Sequence, residues 1–282
     1  MTEHAADSAS PETEPSVVPP AAWPALPLAG YLVLDKKLGM TSRQACSYVR
    51  NCFRRAGAPK RLKVGHGGTL DPLATGVLVV LVGRATKLQD AVMTGEKGYL
   101  AQVDLAHVSA SDDREEELVA IEVPDPPSRA VVEAALGAFT GEIMQRPPAF
   151  SAISVDGRRA YALARADKPL KLEPRPVVIH ALELVEYRWP IATLRIACGK
   201  GTYIRSLARD LGVALGTGGV LHSLQRTRVG PFSIDGAVGI DDLPDEMTQT
   251  DLRPIEDLRQ PSPEDAPAFG GAGSDEDGSD AG

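Results

Sequence analysis

Residues 77–82 read Val-Leu-Val-Val-Leu-Val and are entered from a loop, 65–76, rich in glycine, proline and threonine. Six β-branched or leucine side chains without polar alternation are typical of a buried strand. Such a strand needs a core around it, and an apolar fraction of 43% over 282 residues is enough to supply one. The whole apolar stretch, 73–82, contains Thr75 and Gly76 and falls well short of the roughly 20 residues that cross a bilayer. No membrane association is expected.

Other elements follow from shorter signals. Residues 31–35 read as a strand. Thr41 or Ser42 can cap a helix whose apolar positions Ala45, Val49, Cys52 and Phe53 share one face, leaving Arg43, Arg50, Arg54 and Arg55 outside. Strands are expected over 98–105, 150–155, 177–187, 193–198 and 221–229. Helices are expected over 129–139, 159–166 and 203–215, the last with Thr202 as its N-cap. Asp156-Gly157 suits a hairpin turn. This irregular mixture, with long hairpin-like strands near 177–198, predicts an α+β fold with a central mixed, largely antiparallel sheet flanked by helices and loops.

Charge is divided unevenly along the chain. Residues 1–29 carry four acidic and no basic side chains, and 241–282 carry thirteen acidic against Arg253 and Arg259. The middle, 30–240, holds 28 basic and 21 acidic residues, a net +7 inside a chain whose total is −8. Lys and Arg gain by displacing counterions from phosphates, so a polyanionic partner is expected. The tails are rich in proline, glycine, serine and acid, and both read as disordered. The folded unit is therefore expected over 30–240. Residues 1–29 lack a basic region followed by an apolar block, and the three cysteines form no paired framework. A reducing cytoplasm is expected.

Between Lys36 and Lys87 there are eleven basic residues and one acidic residue, Asp71, on the glycine-rich loop. A carboxylate there sits where a phosphate backbone would dock, and it could serve as nucleophile or base. The same Asp71-Pro72 pair equally suits a plain Asx-type turn before the strand. The loop lacks both the phosphate-binding Gly-Lys-Ser/Thr pattern and a Gly-x-Gly-x-x-Gly fingerprint. Five scattered histidines and no Cys or His pair at ligand spacing give no reason to expect a metal. A second cluster, Cys198-Gly199-Lys200-Gly201-Thr202-Tyr203-Ile204-Arg205, ends a strand and opens a helix, a place that can grip an anion or simply cap the helix.

Taken in order, these pieces resemble the TruB family of tRNA pseudouridine-55 synthases. The resemblance runs from Gly30 to about Phe232 through Asp35-Lys36-Lys37-Leu38-Gly39-Met40-Thr41-Ser42, Gly65-His66-Gly67-Gly68-Thr69-Leu70-Asp71-Pro72-Leu73-Ala74-Thr75-Gly76, and Gly83-Arg84-Ala85-Thr86-Lys87. It continues through Lys97-Gly98-Tyr99, Gln145-Arg146-Pro147-Pro148-Ala149-Phe150 and Gly201-Thr202-Tyr203-Ile204-Arg205. It implies the pseudouridine-synthase fold and isomerisation of a flipped-out uridine, position 55 of the tRNA T loop, with no cofactor. Asp71 would initiate cleavage of the glycosidic bond, Tyr99 would stack on the extruded uracil, and Arg205 would pair with Asp71. His66 would help displace the base, Tyr203 and Leu224 would line the pocket, and Lys36 would lie at its edge. The T stem would rest on the basic helix and on Lys60, Arg61 and Lys63, with the protein acting as a monomer.

Three departures stand out. Gly67 replaces the family's threonine, Lys37 replaces its proline, and its Thr-Asp-Thr-x-Asp stretch is reduced to Ser109-Ala110-Ser111-Asp112-Asp113, a change expected to touch local structure more than the site. No RNA-binding domain of PUA type is expected after 240. Base flipping without chemistry, as in a tRNA chaperone, is a second class of function, and a guide-RNA-dependent relative is a third. Asp71, Tyr99 and Arg205 together favour catalysis.

Overall fold

The computed structural model describes residues 28–150, 154–155, 158–159 and 172–258. From the N-terminus the strands are β1 (Ala29–Lys36), β2 (Val64–His66), β3 (Ala74–Gly83), β4 (Lys97–Asp104), β5 (His107–Val108), β6 (Val119–Ala120) and β7 (Gly141–Gln145). They continue as β8 (Ser154–Val155), β9 (Arg158–Arg159), β10 (Arg175–Arg188), β11 (Ile191–Cys198), β12 (Val220–Val229), β13 (Phe232–Ser233) and β14 (Val238–Gly239). The described helices are α1 (Ser42–Arg55), α2 (Gln89–Thr94), α3 (Arg129–Leu136) and α4 (Ile204–Leu215). One ten-stranded sheet runs β14-β1-β3-β12-β4-β11-β10-β7, with β2 beside β3 and β13 beside β12. Only β1–β14 and β3–β12 are parallel, so the sheet is mixed and largely antiparallel, as expected.

Strand β3 takes the centre because its side chains can be buried on both faces. Leu78, Val80 and Val82 join the larger core cluster, while Val77, Val79 and Leu81 join a second cluster on the opposite side. Period-two alternation divides a uniformly apolar run between two layers. Helix α1 covers the first layer with Ala45, Val49, Cys52 and Phe53, all fully buried, and burial of Val49 and Phe53 contributes about 1.5–3 kcal/mol each. Its start is fixed by a capping box in which the Thr41 hydroxyl accepts from the Gln44 amide and the Gln44 side chain accepts from the Thr41 N–H.

Some boundaries differ from expectation. Structure continues past residue 240: Leu243, Met247, Leu252 and Leu258 are buried against the sheet, and the Met247 N–H bonds to the Cys52 carbonyl of α1. This stretch folds as short 3-10 turns with isolated apolar anchors among acids, so it carries no helical or strand period. Thr202 does not cap α4. Tyr203 takes the cap position and its N–H is accepted by Gln145 Oε1 at 2.8 Å, a cap supplied from β7 rather than from the adjacent sequence. The helix expected over 159–166, apart from Arg159 in β9, and residues 151–153 of the strand expected over 150–155 lie outside the described residues, as does the turn expected at Asp156-Gly157; residues 154–155 form β8.

Candidate active site

Asp71 follows β2 on the loop into β3, and its backbone closes a turn, with the Ala74 N–H donating to the Asp71 carbonyl at 3.1 Å. The turn exists, but the carboxylate does more than close it. Asp71 Oδ2 lies 3.1 Å from Arg205 Nη2, with the aspartate side chain 39% exposed and the arginine 8%. A buried cation therefore holds a carboxylate that solvent, or a substrate, can reach. Arg205 comes from the first turn of α4, whose apolar face Ile204, Leu207, Ala208 and Leu211 is packed into the core.

The other face of the same guanidinium is occupied. Arg205 Nη1 lies 3.3 Å from Asp113 Oδ2 and donates to the Ser111 carbonyl at 3.3 Å, while Nη2 donates to the Phe150 carbonyl at 2.9 Å. Asp113 is 1% exposed and also accepts from the Ser111 hydroxyl and the Glu115 N–H. The Ser109–Asp113 stretch thus packs against Arg205 through Ser111 and Asp113, closer to the candidate site than the expectation that its departure from the family pattern touches local structure more than the site. The spacing of Ser111 and Asp113, still that of the family's second threonine and last aspartate, was the available signal.

Tyr99 lies on β4, opposite Ile196 of β11 and Arg226 of β12, and is buried in the larger core cluster, which also holds Leu224, Leu70 and Leu73. Burial raises its phenol, Arg226 opposes that through its charge and a hydrogen bond, and the Asp71 carboxylate adds to the rise. Tyr99 and Asp71 therefore share one electrostatic environment. Leu224 pairs with Ala74 of β3 and Ala101 of β4. With Leu73 it borders a cleft of about 340 Å³ whose polar rim includes Thr75, Gln102, Ser223 and Arg114. Neither Asp71 nor Tyr99 lines that cleft.

Lys36 does not sit at a pocket edge. It is fully buried, and its ammonium donates to the Lys37 and Met40 carbonyls. Burial lowers its pKa to about 8, Asp71 pulling it up and Arg226 pushing it further down. His66 ends β2 with Nδ1 buried and unpartnered among the described residues, and burial, then Arg226, lowers its pKa. Tyr203 precedes α4 with its backbone held by Gln145 on both N–H and C=O. The structure brings Asp71 and Arg205 into contact; Tyr99, Lys36 and His66 make no hydrogen bond or ion pair to either, and are linked to Asp71 or Arg226 through electrostatic influence on their pKa values. Arg226 and Asp113 are the members that sequence reasoning missed.

Of the expected RNA-facing arginines, Arg50 donates to the Val64 carbonyl, Arg54 to the Lys60 carbonyl, and Arg55 pairs with Asp245 at 3.5 Å. Lys37 pairs with Asp241 at 2.7 Å. Arg43, Arg54, Arg55, Lys60, Arg61 and Lys63 are exposed. Among the described residues no three His, Cys, Asp or Glu side chains group as a metal site would require, and no helix is long and apolar enough to cross a membrane.

The Gly67 departure has a physical explanation. A Cβ at Gly67 would lie 2.2 Å from Val92 Cγ1 and 2.7 Å from its Cβ, so a valine from α2 fills the space that a threonine would need. Gly67→Ala is expected to lower stability by about 1–3 kcal/mol through overpacking, and Val92→Ala in the same chain to restore most of it. Denaturant midpoints of the single and double variants measure this, and a single variant as stable as wild type would show that α2 yields freely.

With this geometry in hand, likeness to known proteins is informative. Residues 54–204 match the model for the TruB family pseudouridylate synthase N-terminal domain, and 205–261 match that for the tRNA pseudouridylate synthase B C-terminal domain. A tRNA pseudouridine synthase B of Parabacteroides distasonis is 43% identical over 77% of this chain and 93% of its own length. Another from Novosphingobium aromaticivorans is 47% identical over 76% and 71%. Among solved structures, a chain from the crystal structure of a Cbf5-Nop10-Gar1 complex superposes with a TM-score of 0.62 at 27% identity, covering 81% of this chain and 61% of that one.

Proposed function

This chain belongs to the TruB family of pseudouridylate synthases, and from that premise we propose that it acts on uridine 55 of the tRNA T loop with Asp71 as its catalytic carboxylate. It is a tRNA pseudouridine synthase, converting uridine to pseudouridine. The observation that carries the assignment of Asp71 is the ion pair with Arg205, in which the arginine is buried and the carboxylate stays accessible. The C1′–N1 bond breaks, the freed base turns within the pocket, C5 bonds to C1′, the proton on C5 leaves, and N1 takes up a proton in exchange. Substrate and product are isomers, so the reaction balances without a redox partner or group donor.

Asp71 attacks or deprotonates the sugar, and Arg205 fixes its rotamer. Tyr99 and Leu224 replace the stacking that the uridine loses when it leaves the loop. His66, with its buried unpartnered nitrogen, meets the loop as the base comes out, and Tyr203 closes the pocket at the start of α4. Lys36 supplies positive charge from beneath Asp71. The A-form stem docks on the exposed Arg43, Arg54, Lys60, Arg61 and Lys63, with Arg55 partnered by Asp245. We place the enzyme in the cytoplasm as a monomer, in keeping with three buried, free cysteines.

Incubation of an unmodified tRNA transcript with the protein, followed by carbodiimide treatment and primer extension, tests this reading. A single new stop at the T-loop uridine is expected. A preparation that binds the transcript but leaves every uridine unmodified would sink the catalytic reading in favour of a chaperone.

A further inference from the structure

Arg226, on β12, is among the most buried large side chains in the protein at 2% exposure. No carboxylate among the described residues lies within ion-pairing distance of it. Its guanidinium instead donates to three backbone carbonyls: Nε to Val77 at 2.8 Å, Nη1 to Thr69 at 3.3 Å and Nη2 to Gly68 at 3.1 Å. Gly68 and Thr69 precede Asp71 in the loop, and Val77 follows it in β3. One planar fork therefore grips the loop on both sides of the carboxylate. Arg226 also stands directly opposite Tyr99 in the β4–β12 pair.

The backbone is built to bring this fork close. Arg226 pairs in parallel with Gly76, where φ is +98° and a Cβ would lie 2.2 Å from the Arg226 carbonyl oxygen. Only glycine allows the two strands to approach so closely there. Burying a guanidinium without an acidic partner is unfavourable, and well-packed apolar side chains generally stabilise such a position at least as well. Packing alone therefore does not account for an arginine in this place. The carbonyls it binds all belong to the segment that carries Asp71, and its cross-strand neighbour is Tyr99.

We propose that Arg226 is a positioning residue for the isomerisation: from the position directly opposite Tyr99, its buried fork fixes residues 68–77 on both sides of Asp71, so that the carboxylate and the stacking ring keep one fixed relation. This rests on the reading of Asp71 and Tyr99 given above. Lysine cannot replace it, because a single ammonium on a flexible stem does not present the planar fork that meets carbonyls on both flanks of the loop.

The test compares wild type, Asp71→Asn, Arg226→Lys and Arg226→Met on an unmodified tRNA transcript, with kcat, KM and transcript Kd measured separately and thermal melts alongside. Arg226→Lys is expected to melt cooperatively and bind the transcript within about threefold of wild type, while kcat falls about 100-fold, the size of loss that a 1 Å misplacement brings. Arg226→Met is expected to lose at least as much in kcat. A folded Arg226→Lys with kcat within threefold of wild type overturns the proposal. So does a loss confined to KM or Kd, which would make Arg226 a binding residue, and so does loss of the cooperative melt in both variants, which would make it a folding residue. Failure of the underlying reading looks different: wild type would then be inactive, or Asp71→Asn would be as active as wild type.

Discussion

Asp71→Asn is expected to bind tRNA like the wild type and to form no detectable pseudouridine, a loss of about 10⁴-fold or more, the scale seen when a reacting group is removed from an otherwise intact site. The substitution keeps the shape of the side chain and one acceptor oxygen but removes the charge that attacks or deprotonates the sugar. Its effect on stability is expected to stay within about 1 kcal/mol, because the Asp71 side chain is 39% exposed and partly solvated ion pairs contribute little. Arg205 would also keep Asp113, Ser111 and Phe150 as partners. Primer extension after carbodiimide, a transcript-binding titration and a thermal melt on the same preparation separate the three quantities. Pseudouridine formed at the wild-type rate by Asp71→Asn and by Asp71→Ala would mean that the catalytic carboxylate is elsewhere.

Local rules were enough for much of the fold. The Val77–Val82 run, a helix cap at Thr41 or Ser42 and the apolar stripe of α1 are each written in fewer than about fifteen consecutive residues, and each is found where expected, with Thr41 as the cap. Asp71 and Arg205 were legible only through an ordered set of motifs, since neither an Asp-Pro turn nor a helix start is unusual by itself, and the ion pair between them joins residues 134 positions apart. Arg226 and Asp113 escaped for the same reason in stronger form. Their partners are backbone carbonyls and a guanidinium brought close by strand pairing and by α4, and no local pattern encodes such a neighbour. Lys36 was misjudged because a lysine is ordinarily solvated, whereas here the Lys37 and Met40 carbonyls receive its ammonium. The segment after 240 escaped because its anchors, Leu243, Met247, Leu252 and Leu258, follow neither period.

Arg205 is where stability and chemistry meet, so its removal is expected to cost both, and a second substitution should separate them. Arg205→Met leaves Asp113 with a buried charge and no cation, and breaking a buried pair in this way costs about 3–5 kcal/mol. It also frees the Asp71 carboxylate from the Arg205 ion pair, and pseudouridine formation should fall at least about 100-fold from lost orientation. In Arg205→Met with Asp113→Leu, the stranded charge is gone and an apolar pair of similar bulk replaces the ion pair. Most of the lost stability is expected to return, while activity stays as low as in Arg205→Met alone. Denaturant unfolding and single-turnover assays on the four members of this cycle read the two effects independently. Recovery of activity together with stability would mean that Arg205 serves the fold only; failure of Asp113→Leu to restore stability would mean that the carbonyls of Ser111 and Phe150, rather than Asp113, are what the guanidinium satisfies.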